Sequence, residues 1–179
     1  MLKKLLVASS ILIASTSTAF ASAAFYVAPS VSYQNIQGDG AQYSGIEPKL
    51  AIGFGGFFRD SIYLAGELFG SPASITIRNS ESDTTGFNVK PKYTIGAAIL
   101  PGFDIDGTLM AFLRIGIAYT HFDQLDATRP GYVLGGGGEY RVDNNWSLRG
   151  EYVYIGYSSI DNTTPRDQEG VIGLVYRFI

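Results

Sequence analysis

The chain has no cysteine, a single histidine, a single tryptophan, and no basic tail. Without cysteine, an exported chain of this length must hold together without disulfides, and a zinc–thiolate site is excluded. Beyond the N-terminal segment, no apolar run approaches the roughly twenty residues that a membrane-spanning helix needs. A spanning β-strand needs only about nine to eleven residues of alternating character, so membrane insertion stays open by that route. Sustained apolar spacing at helical period is also missing. Leaving out Lys3 and Lys4 gives eleven basic residues against sixteen acidic ones, a net charge of about −5, which argues against a nucleic-acid partner.

The chain begins Met1-Leu2-Lys3-Lys4, continues through an apolar stretch from Leu5 to Ala14, and reaches two overlapping small-x-small sites. These are Ala19-Phe20-Ala21 and Ala21-Ser22-Ala23, the signature of a secretory signal peptide over residues 1–23, cleaved after Ala21 or Ala23. Residues 24–179 then form one domain. With 22 Gly, 12 Tyr and 11 Phe, its composition is all-β.

Between Ile46 and Phe178, charges fall on alternate positions opposite aromatic and aliphatic neighbours. In Trp146-Ser147-Leu148-Arg149-Gly150-Glu151-Tyr152-Val153-Tyr154 one parity reads Trp, Leu, Gly, Tyr, Tyr and the other Ser, Arg, Glu, Val. Successive strand side chains point to opposite faces, so two environments meet along the strand. Turn signals divide the domain into eight extended runs: 25–34, 45–57, 61–70, 86–100, 108–119, 131–142, 146–157 and 169–178. Long polar segments (35–44, 71–85, 120–130, 158–168) alternate with tight ones (58–60, 101–107, 143–145). That alternation predicts an eight-stranded antiparallel up-and-down transmembrane β-barrel in a bacterial outer membrane, long loops extracellular and both termini periplasmic.

One parity carries Glu47, Lys49, Glu67, Lys90, Lys92, Arg114, Glu139, Arg141, Arg149, Glu151 and Arg177; the other carries no charge. A lipid-facing Arg or Lys at the bilayer midplane costs about 2–4 kcal/mol, so the charged parity is expected to face inward. Eight strands enclose a space only just wide enough for side chains, which predicts a salt-bridged plug. The alternative is a small porin with weak or gated ion conductance. A soluble, lipocalin-like barrel with its apolar parity inward is a third arrangement. Leu64-Ala65-Gly66-Glu67-Leu68 recurs as Leu148-Arg149-Gly150-Glu151-Tyr152, each just after a short turn, and predicts equivalent wall positions for the two glutamates. Aromatics near run ends are expected in interfacial girdles: Tyr33, Phe87, Tyr119, Tyr132 and Tyr157 on one side, Phe57, Phe58, Phe103, Tyr140 and Trp146 on the other.

Leu100-Pro101-Gly102-Phe103, Arg114 to Tyr119, Gly135 to Tyr140, Trp146 to Tyr152 and Gly173 to Phe178 together resemble the small eight-stranded outer-membrane barrels. Those are the proteins related to the OmpA transmembrane domain, OmpX and the opacity-type surface proteins. The resemblance covers the whole domain and implies a non-enzymatic barrel, a monomer without cofactor or metal. It also implies contact with outer-membrane lipid and lipopolysaccharide and recognition by the barrel-assembly machinery through Tyr176, Phe178 and Ile179. The family ends on an aromatic, whereas Ile179 follows Phe178 here. Supporting the envelope and displaying four extracellular loops for adhesion or host contact, with an extracellular ligand held by those loops, is the implied role.

Four motifs are weak. His121 with Asp123 is similar to part of an outer-membrane acyltransferase site, but the helix that precedes that family's first strand has no counterpart before Phe25. Gly135-Gly136-Gly137-Gly138 is followed by no Lys-Ser/Thr and sits in a strand pattern, against a phosphate loop. Loop carboxylates Asp123, Asp126, Asp161, Asp167 and Glu169 carry oxygen ligands suited to Ca²⁺ or Mg²⁺ without EF-hand spacing. Asn162-Thr163-Thr164 fits a glycosylation pattern that means little in a bacterium.

Overall fold

The computed structural model describes residues 23–38, 41–58, 61–72, 75–80, 90–122, 127–158 and 165–179. The expected signal segment thus lies outside the described residues, apart from Ala23. Among the described residues there are nine strand segments: β1 (Ala24–Gly38), β2 (Ala41–Phe58), β3 (Ile62–Ser71), β4 (Ile75–Ser80), β5 (Pro91–Asp104), β6 (Leu109–Phe122), β7 (Ala127–Arg141), β8 (Trp146–Tyr157) and β9 (Arg166–Phe178). β2 pairs with β3 from Leu50 to Phe58 and with β4 from Gln42 to Ile46, so β4 continues the line of β3. The wall therefore has eight strand positions. Antiparallel pairing of β1 with both β2 and β9 closes it into a barrel.

The stagger follows from the register. From Val27 the paired residues run Ile52, Leu68, Ala97, Ile117, Tyr132, Gly156 and Arg166, and return to β1 at Gln37, ten residues further on. Eight strands with that stagger tilt roughly 35–45° from the axis and leave room inside only for side chains. Alternation then sorts the residues. In β6, Leu109, Leu113, Ile115 and Ile117 are exposed while Met110, Phe112, Arg114, Ala118 and Thr120 are buried.

Hydrogen bonds define the turns at the end of the barrel that carries both chain termini. Asp106 Oδ1 accepts from the amides of Thr108 (2.9 Å) and Leu109 (2.7 Å), Asp104 Oδ1 accepts from Gly107 N (2.6 Å), and Gly107 adopts φ 82°. Only a residue without Cβ enters that left-handed region freely. Those two backbone bonds hold the Asp106 carboxyl below the usual aspartate range. In the β7–β8 turn Asp143 Oδ1 accepts from Asn145 N and Trp146 N at 2.8 and 2.7 Å.

At the opposite, far end the strands run further than the polarity of the sequence predicts. β1 and β2 stay paired out to Gly38 and Ala41, leaving two residues where a connection over 35–44 was expected. β6 and β7 stay paired to Phe122 and Ala127, and β9 begins at Arg166 instead of 169. β4 occupies part of the expected 71–85 connection. β5 starts at Pro91; the expected earlier start at 86 falls outside the described residues. Edge pairing accounts for these extensions, since a polar residue satisfies a ladder as well as an apolar one.

Candidate functional site

The barrel interior is filled by two charge networks. Nearer the chain termini, Glu67 on β3 receives Arg114 from β6 (Nη2 to Oε1, 2.6 Å) and Arg149 from β8 (Nη1 to Oε2, 2.8 Å). Arg114 also donates from Nε to Glu151 Oε2 at 2.7 Å, so the two glutamates of the repeated segment meet on one guanidinium. Arg149 donates to Glu139 from Nε and Nη2 at 3.1 and 2.9 Å, and Arg177 bridges Glu139 at 2.5 Å. Tyr26 donates its hydroxyl to Glu67 Oε2 at 2.9 Å. Three guanidiniums thus face three carboxylates. Aromatic rings flank the cations, with Arg149 lying 5.3 Å from the Tyr26 centroid and 5.2 Å from that of Phe112.

The second network, nearer the far end, has a different balance. Lys49 bridges Glu47 at 3.1 Å and Glu169, and Gln34 Nε2 donates to Asp167 Oδ2 at 2.7 Å. Two carboxylates share one ammonium, and a third, Asp167, is held by the Gln34 amide. Hydroxyls line its edge, Thr94 with Thr120 at 2.9 Å and Thr120 with Tyr157 at 3.0 Å. Between the networks lies a cavity of about 40 Å³, bounded by Lys49 and Glu169 on one side and by Glu67, Arg114, Arg149 and Glu151 on the other. Apolar clusters lie around the charges: Ile36, Tyr43, Phe122, Ile155 and Tyr157 toward the far end, and Tyr26, Tyr63, Leu100, Met110 and Phe112 toward the termini.

Of the eleven expected interior charges, the structure brings together Glu47, Lys49, Glu67, Arg114, Glu139, Arg149, Glu151 and Arg177. The other three lie elsewhere. Lys90 precedes β5 and is half-buried. Lys92 is exposed, because a register shift between Pro91 and Tyr93 leaves it unpaired as a bulge and reverses its side. Arg141 is exposed at the terminal end, where its Nη1 donates to Gly107 O at 2.8 Å. Conversely, Asp167 and Glu169, expected in a cation-binding loop, are fully buried on β9. Both share the parity of Gly173 and Arg177: Glu169 opens the expected eighth run, and carrying its parity two residues back reaches Asp167.

The aromatic assignments divide in the same way. Tyr33, Tyr119 and Tyr132, then Phe58, Phe103, Tyr140 and Trp146, are exposed on the outer face. Tyr157 is 3% exposed and faces the lumen, and Phe57 packs on Tyr63 at 5.4 Å inside the barrel. Their odd positions on β8 and β2 match Arg149 and Lys49. Phe87, Asp123, Asp126, Asp161 and Asn162-Thr163-Thr164 lie outside the described residues. His121 stacks on Tyr93 at 5.1 Å and 9°, its Nδ1 3.4 Å from Thr128 Oγ1. Gly135 to Gly138 form part of β7. At the C-terminal strand Tyr176 lies 4.8 Å from Trp146 and 5.0 Å from Phe178, while Ile179 is exposed.

Known proteins share this architecture. A stretch of 62 residues is 52% identical to the 31 kDa outer-membrane immunogenic protein of Brucella melitensis biotype 1, and equally to that of Brucella suis biovar 1. It covers 30% of this chain and 26% of each relative, so the match spans about a quarter of their length. Neisserial surface protein A superposes with a TM-score of 0.57 at 19% identity, covering 88% of this chain and 99% of that one. Ail, the attachment invasion locus protein of Yersinia pestis, in complex with the heparin analogue sucrose octasulfate, gives 0.57 at 14% identity, covering 87% and 99%. These two establish a common fold. The family model described as the outer membrane protein beta-barrel domain matches residues 5–178, and the chain accordingly belongs to that family of outer-membrane barrels.

Proposed function

We propose that this protein is a non-enzymatic, sealed barrel that supports the integrity of the outer membrane and displays its far-end connections outside the cell for adhesion or host contact. The observation that carries the reading is the filled lumen inside an apolar wall. Opening a path would require separating Glu67 from two guanidiniums and displacing the buried Ile36, Tyr43, Phe122 and Tyr157. Leu50, Ile52, Leu68, Leu113 and Ile172 on the outside match a hydrocarbon surface, where a sheet with no edge is one of the two architectures that satisfy every backbone group.

In this reading both termini lie in the periplasm, residues 1–23 are removed on export, and the folded domain is a monomer among lipopolysaccharide molecules. The Tyr176, Phe178 and Ile179 segment is the part read by the assembly machinery. Ail, a protein of this fold, is named for attachment and invasion, which supports a role for the exposed connections in contact. No catalytic step is needed, and the filled lumen argues against a steady conductance.

Deleting the gene in its native bacterium tests the proposal. The expected result is greater sensitivity to detergents and reduced attachment to host cells, both restored by the intact chain. Unchanged detergent resistance and unchanged attachment together would refute it.

A further inference from the structure

The charges inside the lumen do not balance. Among the described residues the two networks hold four cations, Lys49, Arg114, Arg149 and Arg177, against six carboxylates, Glu47, Glu67, Glu139, Glu151, Asp167 and Glu169. The three guanidiniums and three carboxylates near the termini cancel, so the excess of two negative charges falls wholly in the far-end network. Buried charge without a partner is costly, and this excess calls for a countercharge.

Two buried oxygens mark its place. Gln34 on β1 is 1% exposed and Asp167 on β9 is 0% exposed, and the 2.7 Å bond from Gln34 Nε2 to Asp167 Oδ2 holds the two together. That bond also fixes which way the amide points. Gln34 Oε1 and Asp167 Oδ1 are then left, among the described residues, without a hydrogen-bond partner. Both side chains face the lumen: Gln34 lies opposite Glu169 in the β1–β9 ladder, and Asp167 stands two residues before Glu169 on β9. Asp167 is the second residue of β9 and pairs with Ile36, at the end of the lumen away from the guanidiniums.

A bound water would satisfy these oxygens but leave both excess charges in place. A metal cation does both. Carboxylate and amide oxygens are hard donors, and no imidazole or thiolate belongs to the pair to select zinc or a transition metal. Among the described residues no three His, Cys, Asp or Glu side chains gather into a metal cluster, so the ion keeps part of its water shell. Ca²⁺ tolerates such an irregular set of oxygens, whereas Mg²⁺ demands a near-ideal octahedron. We propose that Asp167 and Gln34 form a calcium site inside the far end of the lumen, where the ion balances the negative charge that Lys49 leaves over.

The test follows equilibrium urea unfolding of the full folded protein in phosphatidylcholine vesicles, with free Ca²⁺ set by a chelator. An ion that binds only the folded barrel raises the midpoint with the logarithm of its concentration, by roughly 0.5–1 M urea per tenfold above the dissociation constant. Wild type and Asp143→Asn, altered in a turn at the terminal end, are expected to show that slope. Asp167→Asn is expected to show none, while unfolding no earlier than wild type in chelator. Gln34→Glu adds a carboxylate to the pair, so it is expected to unfold earlier than wild type in chelator and to recover with Ca²⁺. Heat-modifiable migration on gels verifies that each variant is folded. A wild-type midpoint indifferent to Ca²⁺ overturns the site, as does a slope that survives in Asp167→Asn, a slope lost in Asp143→Asn, or a Gln34→Glu variant that Ca²⁺ fails to restore.

Discussion

Single residues in the lumen differ by what they leave behind when removed. Glu67 is 3% exposed and satisfies Arg114, Arg149 and the Tyr26 hydroxyl at once. Glu67→Ala leaves three guanidiniums facing two carboxylates in a low-dielectric interior, a loss of about 3–5 kcal/mol expected from breaking a buried pair. Urea unfolding in lipid vesicles should show it as a lowered midpoint. Asp167 predicts the opposite. Its described partner is the Gln34 amide, while Lys49 is taken by Glu47 and Glu169, and asparagine keeps the acceptor for Gln34 while removing a buried carboxyl that no ion pair compensates. Asp167→Asn is therefore expected to unfold at the same or a higher urea concentration; a midpoint as low as that of Glu67→Ala would contradict the charge assignment. Parity alone made Glu67, Arg114 and Arg149 legible, since no lipid face accepts them. Asp167 was hidden because aspartate favours turns, which drew the loop boundary past it.

At the scale of strands and turns, backbone proximity decides what the wall accepts. A Cβ at Gly137 on β7 would stand 2.2 Å from Gly150 O and 2.9 Å from Glu151 Cα, whereas one at Gly150 on β8 would meet nothing within 4 Å. Gly137→Ala should destabilise by about 1–3 kcal/mol, as overpacking does, and Gly150→Ala by about 0.5 or less. Equal urea midpoints for the two would refute the close backbone approach at Gly137. In the β5–β6 turn the amides of Leu109 and Thr108 hold Asp106 below the ordinary aspartate value. A lowered folded-state value means that its contribution is present above the ordinary value of about 3.9 and is lost as pH falls through the lower one. The stability gap between wild type and Asp106→Ala should therefore persist at neutral pH and close in acid; a gap that widens on acidification contradicts the turn. The sequence marked these turns through Asp and Gly. The bulge at Lys92 was harder to see, because strict alternation has no place for an extra residue, although Pro91 was its cue.

For the molecule as a whole, a stagger of ten residues over eight strands fixes a narrow tilted cylinder, and the charge pattern fills it. The balance differs along the axis: three guanidiniums meet three carboxylates near the termini, and toward the far end one ammonium meets two carboxylates with a third held by an amide. Fold class and the inward face could be read from alternation, because each of eight runs repeats the same constraint. The partition into two networks could not, since it depends on which strands the register brings face to face. Planar-bilayer recording of the refolded wild-type protein tests the sealed lumen most directly. The filled interior predicts no stable open-channel current at moderate voltage, and a reproducible steady conductance, altered by Arg149→Ala, would contradict it.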